Sequence, residues 1–342
     1  MSDIRLPQAE IDAIIDLNNL KRVPKNTHVA VLMGGWSAER PVSLWSGDAC
    51  AAALETVGYK VTKIDVGRDV ALRLAEVKPD VCFNALHGPF GEDGHIQGLL
   101  EILGIPYTHS DVLASAMAMN KHVARQLFAS VGIPIAKGKV INRFDAAKEH
   151  VMEPPYVLKP VADGSSFGVF IVPRGANQPP QELLAADWPL SDDMLGEQYV
   201  AGRELTCTVM GNRALAVTDI YSNSEFYDFE GKYAEGGSKH IVPAKIKPNI
   251  YQDIMKWSVR ACEVLGCTGV ARVDWRYDDS AAANDELICL EVNTQPGMTG
   301  SSLAPEQAQK LGISFEKFVA WMVEQARCKQ EIVGIKAKVQ NR

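Results

Sequence analysis

His28-Val29-Ala30-Val31-Leu32-Met33-Gly34-Gly35-Trp36-Ser37 opens on six residues dominated by aliphatic side chains and closes on a double-glycine turn. A short apolar run bounded by glycine, followed at 43–57 by a helical pattern, reads as a strand buried on both faces. The same alternation continues outward, with a β-rich run at 61–66, a helical stretch at 69–77 and a third run at 81–86. This order predicts a parallel, doubly wound α/β sheet, because parallel neighbours are joined through crossover helices. The turn lacks the Gly-x-Gly-x-x-Gly spacing of a dinucleotide site, which argues against nicotinamide binding.

Beyond residue 118 the pattern changes. A basic helix at 121–131 leads to runs at 138–141, 156–160 and 168–172 that read as antiparallel strands, and further strands follow at 197–200, 205–210 and 215–220. The stretch 221–240 is aromatic-rich and aperiodic, as in a functional lid or a linker. A helix at 249–265, a β-pair at 269–277 and 287–293, a Gly-rich loop and two helices close the chain. We read three segments: an N-terminal α/β substrate-binding domain (1–118), a central antiparallel-sheet domain (119–196) and a C-terminal α+β domain (197–342) with a lid at 221–241.

The 342 residues are 46% hydrophobic and 23% charged, within the range of folded soluble proteins. Forty-two acidic against 35 basic residues give a formal charge of −7 with no long basic run, which argues against a nucleic-acid partner. The N-terminus has no apolar core of secretory type, and no segment approaches 18 consecutive apolar residues, so a cytoplasmic protein is expected. Seven cysteines stand among apolar neighbours without a Cys-x-x-Cys pair, and they read as small buried hydrophobes.

Three clusters carry chemistry. Arg272 and Asp274 sit two apart on one strand, as do Glu291 and Asn293 on the next, so each pair shares a face. If the two strands form a hairpin the four groups converge. Two carboxylates and an amide oxygen suit Mg²⁺, although a surface hairpin with salt bridges has the same pattern. Tyr156-Val157-Leu158-Lys159-Pro160, followed by Asp163-Gly164-Ser165-Ser166-Phe167-Gly168, is a strand ending in a cation beside a Gly/Ser loop. Such a loop can wrap phosphate oxygens or simply turn a hairpin. Lys121 is either a second phosphate cation or a solvated side chain. His87-Gly88-Pro89-Phe90-Gly91-Glu92-Asp93-Gly94 lies at the C-terminal end of the third parallel strand, where open α/β sheets bind ligands. His87 and His95 lack further ligands for a zinc site. The equivalent place after the first strand holds Gly34-Gly35-Trp36-Ser37-Ala38-Glu39-Arg40, whose Glu39 can bind an ammonium group or cap a helix.

Taken together, these motifs resemble the D-alanine–D-alanine ligases of the ATP-grasp superfamily from about residue 28 to 328, in the family's order. They are Gly-Gly-x-Ser-x-Glu-Arg, His-Gly-x-x-Gly-Glu-Asp-Gly, Lys-Pro before Gly-Ser-Ser, Phe-Tyr-Asp-Phe-Glu-x-Lys-Tyr and Glu-x-Asn-Thr-x-Pro-Gly-Met-Thr. The resemblance implies that Lys121, Lys159, Ser165, Ser166 and Lys232 bind ATP, with Glu197, Tyr199 and Val200 on the adenine and Glu204 on the ribose. It also implies that Asp274, Glu291 and Asn293 hold two Mg²⁺ (or Mn²⁺) ions, that Glu39 holds the ammonium of the first D-alanine, and that His87 is among the substrate-binding residues. Arg272 and the backbone of Gly297 would stabilise the reacting oxygens, and Ser302 and Leu303 would take the second D-alanine's carboxylate. Ser165, Glu39 and Tyr233 match the trio that latches the lid. Two positions depart from the family's habit: Pro41 after Arg40, and Asp163 before Gly-Ser-Ser.

The implied activity is ATP-dependent joining of two D-alanines for peptidoglycan precursors, by a homodimer. Lys232 and Tyr233 favour it over a D-alanine–D-lactate type depsipeptide ligase, and another ATP-grasp carboxylate–amine ligase is the remaining alternative.

Overall fold

A computed structural model describes residues 4–164, 167–222, 238–280 and 285–329. Strand β1 (His28–Met33) lies parallel between β2 (Lys60–Asp65) and β3 (Val81–Asn84). The alternation of β1 explains why helices cover both faces. Val29 and Val31 share a core with Cys50, Ala51 and Leu54 of α2 (Arg40–Val57). Ala30 and Leu32 face the opposite way, toward Val70 and Leu74 of α3 (Val70–Val77) and Ile96 and Leu100 of α4 (His95–Leu103). The expected doubly wound sheet is therefore present. Because β2 and β3 flank β1 on opposite sides, the chain leaves β1 and β3 in diverging directions and opens a crevice at their C-terminal ends.

The central sheet has the order β4-β7-β5-β6, with β4 Gly138–Asn142, β5 Tyr156–Pro160, β6 Phe170–Val172 and β7 Asp193–Gln198. The C-terminal sheet has the order β10-β9-β8-β11-β12. Its strands are β8 Arg203–Met210, β9 Arg213–Ser222, β10 Ser238–Ile241, β11 Val270–Asp278 and β12 Glu286–Asn293. Every pairing in both sheets is antiparallel. Among the described residues the further α-helices are α1 (Gln8–Ile14), α5 (Val112–Met119), α6 (Lys121–Ser130), α7 (Arg143–Ala146), α8 (Pro248–Leu265), α9 (Leu303–Lys310) and α10 (Phe315–Gln325).

Several expected bounds shift. The third strand stops at Asn84, whose side-chain oxygen accepts from the Leu86 N–H at 3.2 Å and turns the chain out of the sheet. The strand expected at 197–200 runs instead from Asp193 to Gln198, its start disguised by two acidic residues, so Tyr199 and Val200 follow it. This strand crosses position 196/197 and pairs on both sides with central-sheet strands. The first residues of 221–240 and the last ones belong to paired strands, with Lys239 opposite Tyr221 and His240 opposite Ile220. Helix α2 begins at Arg40 rather than 43, and Pro41 suits its first turn because no intrahelical partner for an N–H exists there.

Two cores tie the segments together. Ile11 and Ile15 of the N-terminal region join Phe318, Val319 and Met322 of α10 and the α2 face of the parallel sheet. Ala124 and Phe128 of α6, though in the central stretch of sequence, pack with α8 on the C-terminal sheet.

Six cysteines are buried and Cys267 is partly exposed. Burial pushes the Cys82 and Cys207 thiols up to about 12. An Ellman titration of the native protein is expected to label about one thiol quickly, Cys267, and all seven only after denaturation. Rapid native labelling of several thiols would contradict this packing.

Candidate active site

The alternation of β11 separates core from chemistry. Ala271, Val273, Trp275 and Tyr277 enter the core under α8, while Arg272, Asp274 and Arg276 face the cleft. In the ladder Arg272 lies opposite Asn293 and Asp274 opposite Glu291, so the four groups expected to converge share one face. The register then shifts: Asp274 pairs with Glu291 but Trp275 pairs with Cys289, which makes Leu290 the extra residue of a β-bulge. The bulge allows Ile288 and Leu290, and then Glu291, to line one cleft although Leu287, Cys289 and Val292 are in the core. A regular strand would have turned either the apolar wall or the acidic groups away.

Arg272 grips Asp274 with two prongs, Nε to Oδ1 at 2.8 Å and a terminal nitrogen to Oδ2 at 2.7 Å. The Thr206 hydroxyl donates to the same Oδ1 at 2.6 Å from neighbouring β8. The Asn293 side-chain oxygen accepts from the Gln295 N–H at 2.7 Å. Lys121 Nζ stands 3.4 Å from Glu291 Oε2 and donates to the Asp163 backbone oxygen, so it is not a solvated surface cation. The departure at Asp163 thus contributes through its backbone at this contact.

Lys159 is buried and ion-paired with Glu197, which also takes Arg125 Nη1 at 2.5 Å. Glu197, expected on the adenine, therefore also fixes the lysine, and Arg125 went unnoticed in the sequence because one charged residue in a helix carries no periodic signal. Glu204 Oε2 lies 3.8 Å from Arg276. Arg276 in turn donates from Nε to the Val200 oxygen at 3.2 Å, bracing the segment after β7.

At the crevice of the parallel sheet Glu39, the N-cap residue of α2, makes no side-chain cap bond and is buried. Its carboxylate lies between two glycine loops. A Cβ on Gly88, whose φ is +72°, would come within 2.6 Å of Glu39 Oε2, and one on Gly164 within 3.3 Å. His87 Nδ1 donates to Glu92 Oε1 at 3.1 Å, its Nε2 lies 3.2 Å from Ser46 Oγ, and its backbone oxygen takes the Ser37 hydroxyl at 2.7 Å. Ser46 had given no signal in the sequence, since it sits inside a helix.

Two cavities meet here. One, an open cleft with about 1050 Å³ of empty space including solvent at its mouth, runs between the two antiparallel sheets past Lys159, Tyr199, Val200 and Glu204 to Asp274. The other, mostly polar and likewise open, with about 660 Å³ of empty space, holds Glu39, His87, Asn293 and Gly297. Lys121, Asp163, Gly164, Arg272 and Glu291 line both. Leu303 lines the larger cavity, packed on Ile220. Ser302 stands at the N-cap position of α9 without a side-chain cap bond, and its hydroxyl accepts instead from the Thr299 N–H at 2.9 Å. Ser165, Ser166, Lys232 and Tyr233, and with them the lid latch, lie outside the described residues. Among the described residues no three His, Cys, Asp or Glu side chains form a metal cluster. The donor set of Asp274, Glu291 and Asn293 is that of a hard cation that completes its shell with phosphates and water.

Comparison with known proteins identifies the family and the fold. The family profile for the D-ala D-ala ligase C-terminus matches residues 127–324, and that for the N-terminus matches 71–110. D-alanine–D-alanine ligase B of Mesorhizobium japonicum is 58% identical over 305 residues, 89% of this chain and 99% of the relative. A D-alanine–D-alanine ligase of Xanthobacter autotrophicus is 60% identical over 299 residues, 87% of this chain and 98% of its own. The crystal structure of D-alanine–D-alanine ligase from Bacillus anthracis complexed with ATP superimposes with a TM-score of 0.71 at 29% identity, covering 87% of this chain and 96% of that one. A D-Ala:D-Ser ligase of Enterococcus faecalis does so at 0.70 and 28%, covering 87% and 98%. With the profile spanning more than half the chain and the relatives nearly all of their own length, this α/β ATP-grasp chain belongs to the D-alanine–D-alanine ligase family.

Proposed function

We propose that the protein joins two D-alanine molecules into D-alanyl-D-alanine with ATP, releasing ADP and phosphate, for peptidoglycan precursor synthesis. The observation that carries this reading is the shared wall: a nucleotide-sized cleft and a small polar pocket meet at Lys121, Arg272 and Glu291. Two reactants held on either side of one set of charged groups are placed for group transfer.

A carboxylate resists attack by an amine, so it is first activated. Glu39 holds the ammonium of the first D-alanine, with His87 beside it, and leaves its carboxylate directed at the shared wall. That carboxylate oxygen attacks the γ-phosphorus, the bond to the β-phosphate oxygen breaks, and ADP leaves. Lys121, Lys159 and Arg272 offset charge on the transferring group. The amine of the second D-alanine, its carboxylate at Ser302 and Leu303, attacks the acyl carbon and phosphate departs. The backbone of Gly297 stabilises the oxygen that gains charge.

Asp274, Glu291 and Asn293 would hold Mg²⁺ or Mn²⁺, two ions in our reading, whose chemistry is to neutralise phosphate charge. Glu197, Tyr199, Val200 and Glu204 bind adenosine. Ser165, Ser166 and Lys232 bind phosphate, and the trio of Ser165, Glu39 and Tyr233 closes the lid. The resemblance alone adds that the enzyme is a homodimer of the cytoplasm; among the described residues no helix is long and apolar enough to cross a membrane.

ADP release is expected to require both Mg²⁺ and D-alanine, with the dipeptide found by mass in equal amount. Equal rates with D- and L-alanine would sink the assignment.

A further inference from the structure

The loop after β12 touches the parallel sheet through a buried polar network that the reaction scheme above does not use. Gln295 is 1% exposed and Asn84, the last residue of β3, is 0% exposed. Asn84 Nδ2 donates to Gln295 Oε1 at 2.8 Å and to the Gly91 oxygen at 3.0 Å. Gln295 Nε2 donates to the Leu86 oxygen, and the Gln295 N–H to Asn293 Oδ1. Leu86 N–H returns to Asn84 Oδ1 at 3.2 Å, and Gln97 Nε2 adds a second donor to Gly91 at 2.8 Å. Three residues on, the Met298 N–H donates at 3.1 Å to Ser46 Oγ, which itself contacts His87.

The network therefore has one end on Asn293, in the C-terminal sheet, and the other on both ends of the 86–91 loop, which carries His87 and Gly88. We propose that Gln295 and Asn84 are a positioning pair, setting the first amino-acid pocket in register with the phosphoryl-transfer groups. The inference rests on the ligase reading above. Its physical basis is that the attacking carboxylate is held by one sheet and the phosphoryl group by another. An error of a fraction of an ångström between them falls directly on the reacting distance. A buried amide pair is suited to the task because hydrogen bonds define distance and direction, whereas an apolar contact permits sliding. Neither side chain lines the nucleotide cleft or the polar pocket, so both act through Asn293 and the loop.

The test uses the full-length enzyme with Gln295→Met, which keeps length but loses both the donor to Leu86 and the acceptor for Asn84, together with Asn84→Ala and the double variant. Wild type must first make D-alanyl-D-alanine; if it does not, the ligase reading fails and not the pair. Given that activity, Gln295→Met is expected to lower kcat/KM for the first D-alanine about 10-fold or more, with the KM for ATP within about twofold. The double variant is expected to lose no more than the worse single variant, because the two side chains act as one unit. Multiplying losses, or a fall in melting temperature with kcat/KM unchanged, would reduce the pair to an interface contact and overturn the proposal. Should Gln295→Met not fold, Gln295→Asn draws the amide back by one methylene and carries the same expectation, with bound ATP as the check on folding.

Discussion

Glu291→Gln is expected to lower kcat by about 10²-fold or more while the protein folds and melts much as before. The substitution keeps shape and removes one negative charge at the place where the two cavities meet. Glu291 lies opposite Asp274 across the ladder and 3.4 Å from Lys121 Nζ, so its charge serves two neighbours, the cation of the proposed metal site and the lysine. Its side chain is about one-third exposed, at 35%, and an ion pair so placed contributes little to stability. The loss therefore falls on the transition state rather than on the fold. An ADP-release assay at several Mg²⁺ concentrations measures it: part of the activity should return at high Mg²⁺, because weakened metal binding is offset by mass action. Near-wild-type turnover at ordinary Mg²⁺ would show that this carboxylate does not belong to the phosphoryl-transfer site.

The second large effect is expected of Arg272→Lys, which keeps the charge yet should cost about 10²- to 10³-fold in kcat. Arg272 holds both oxygens of Asp274, a geometry only a planar fork can make. Lysine reaches one oxygen, so Asp274 keeps Thr206 on Oδ1 but loses the bond that defines its tilt. Arg272 also lines the shared wall, where the N–H groups not spent on Asp274 would meet the paired oxygens of a phosphoryl group in the proposed reaction. In the proposed mechanism two functions are thus lost together, orientation of the carboxylate proposed to hold metal and contact with the reacting group. Because Arg272 lies on the cleft face of β11, away from Ala271, Val273, Trp275 and Tyr277 in the core under α8, the thermal transition should move little. A variant that melts and turns over like wild type would remove Arg272 from catalysis.

Periodicity made the parallel sheet legible from His28 onward, since a strand covered by helices on both faces must be apolar at successive positions, and β1 is. The same rule placed Arg272 and Asp274 together on one face of their strand and Glu291 and Asn293 together on one face of theirs, and ordered motifs along the chain identified the family. These are local properties: spacing of two along a strand, glycines where a backbone must come close, a lysine at a strand's end. What the sequence could not show was any property that depends on two distant segments meeting. The bulge at Leu290 exists only because β11 and β12 pair with a shift, so nothing in 287–293 read alone reveals that Ile288, Leu290 and Glu291 line one cleft. Arg125 became the partner of Glu197, and Asn84 the partner of Gln295, through contacts separated by 72 and 211 residues. One buried charge or amide leaves no periodic trace, because its partner is chosen by packing in three dimensions. The sequence by itself determined the kind of sheet, the family and the inventory of reactive side chains. Their mutual distances were decided by the tertiary structure, because hydrogen bonds and ion pairs act over about 3 Å, a range that chain spacing does not encode.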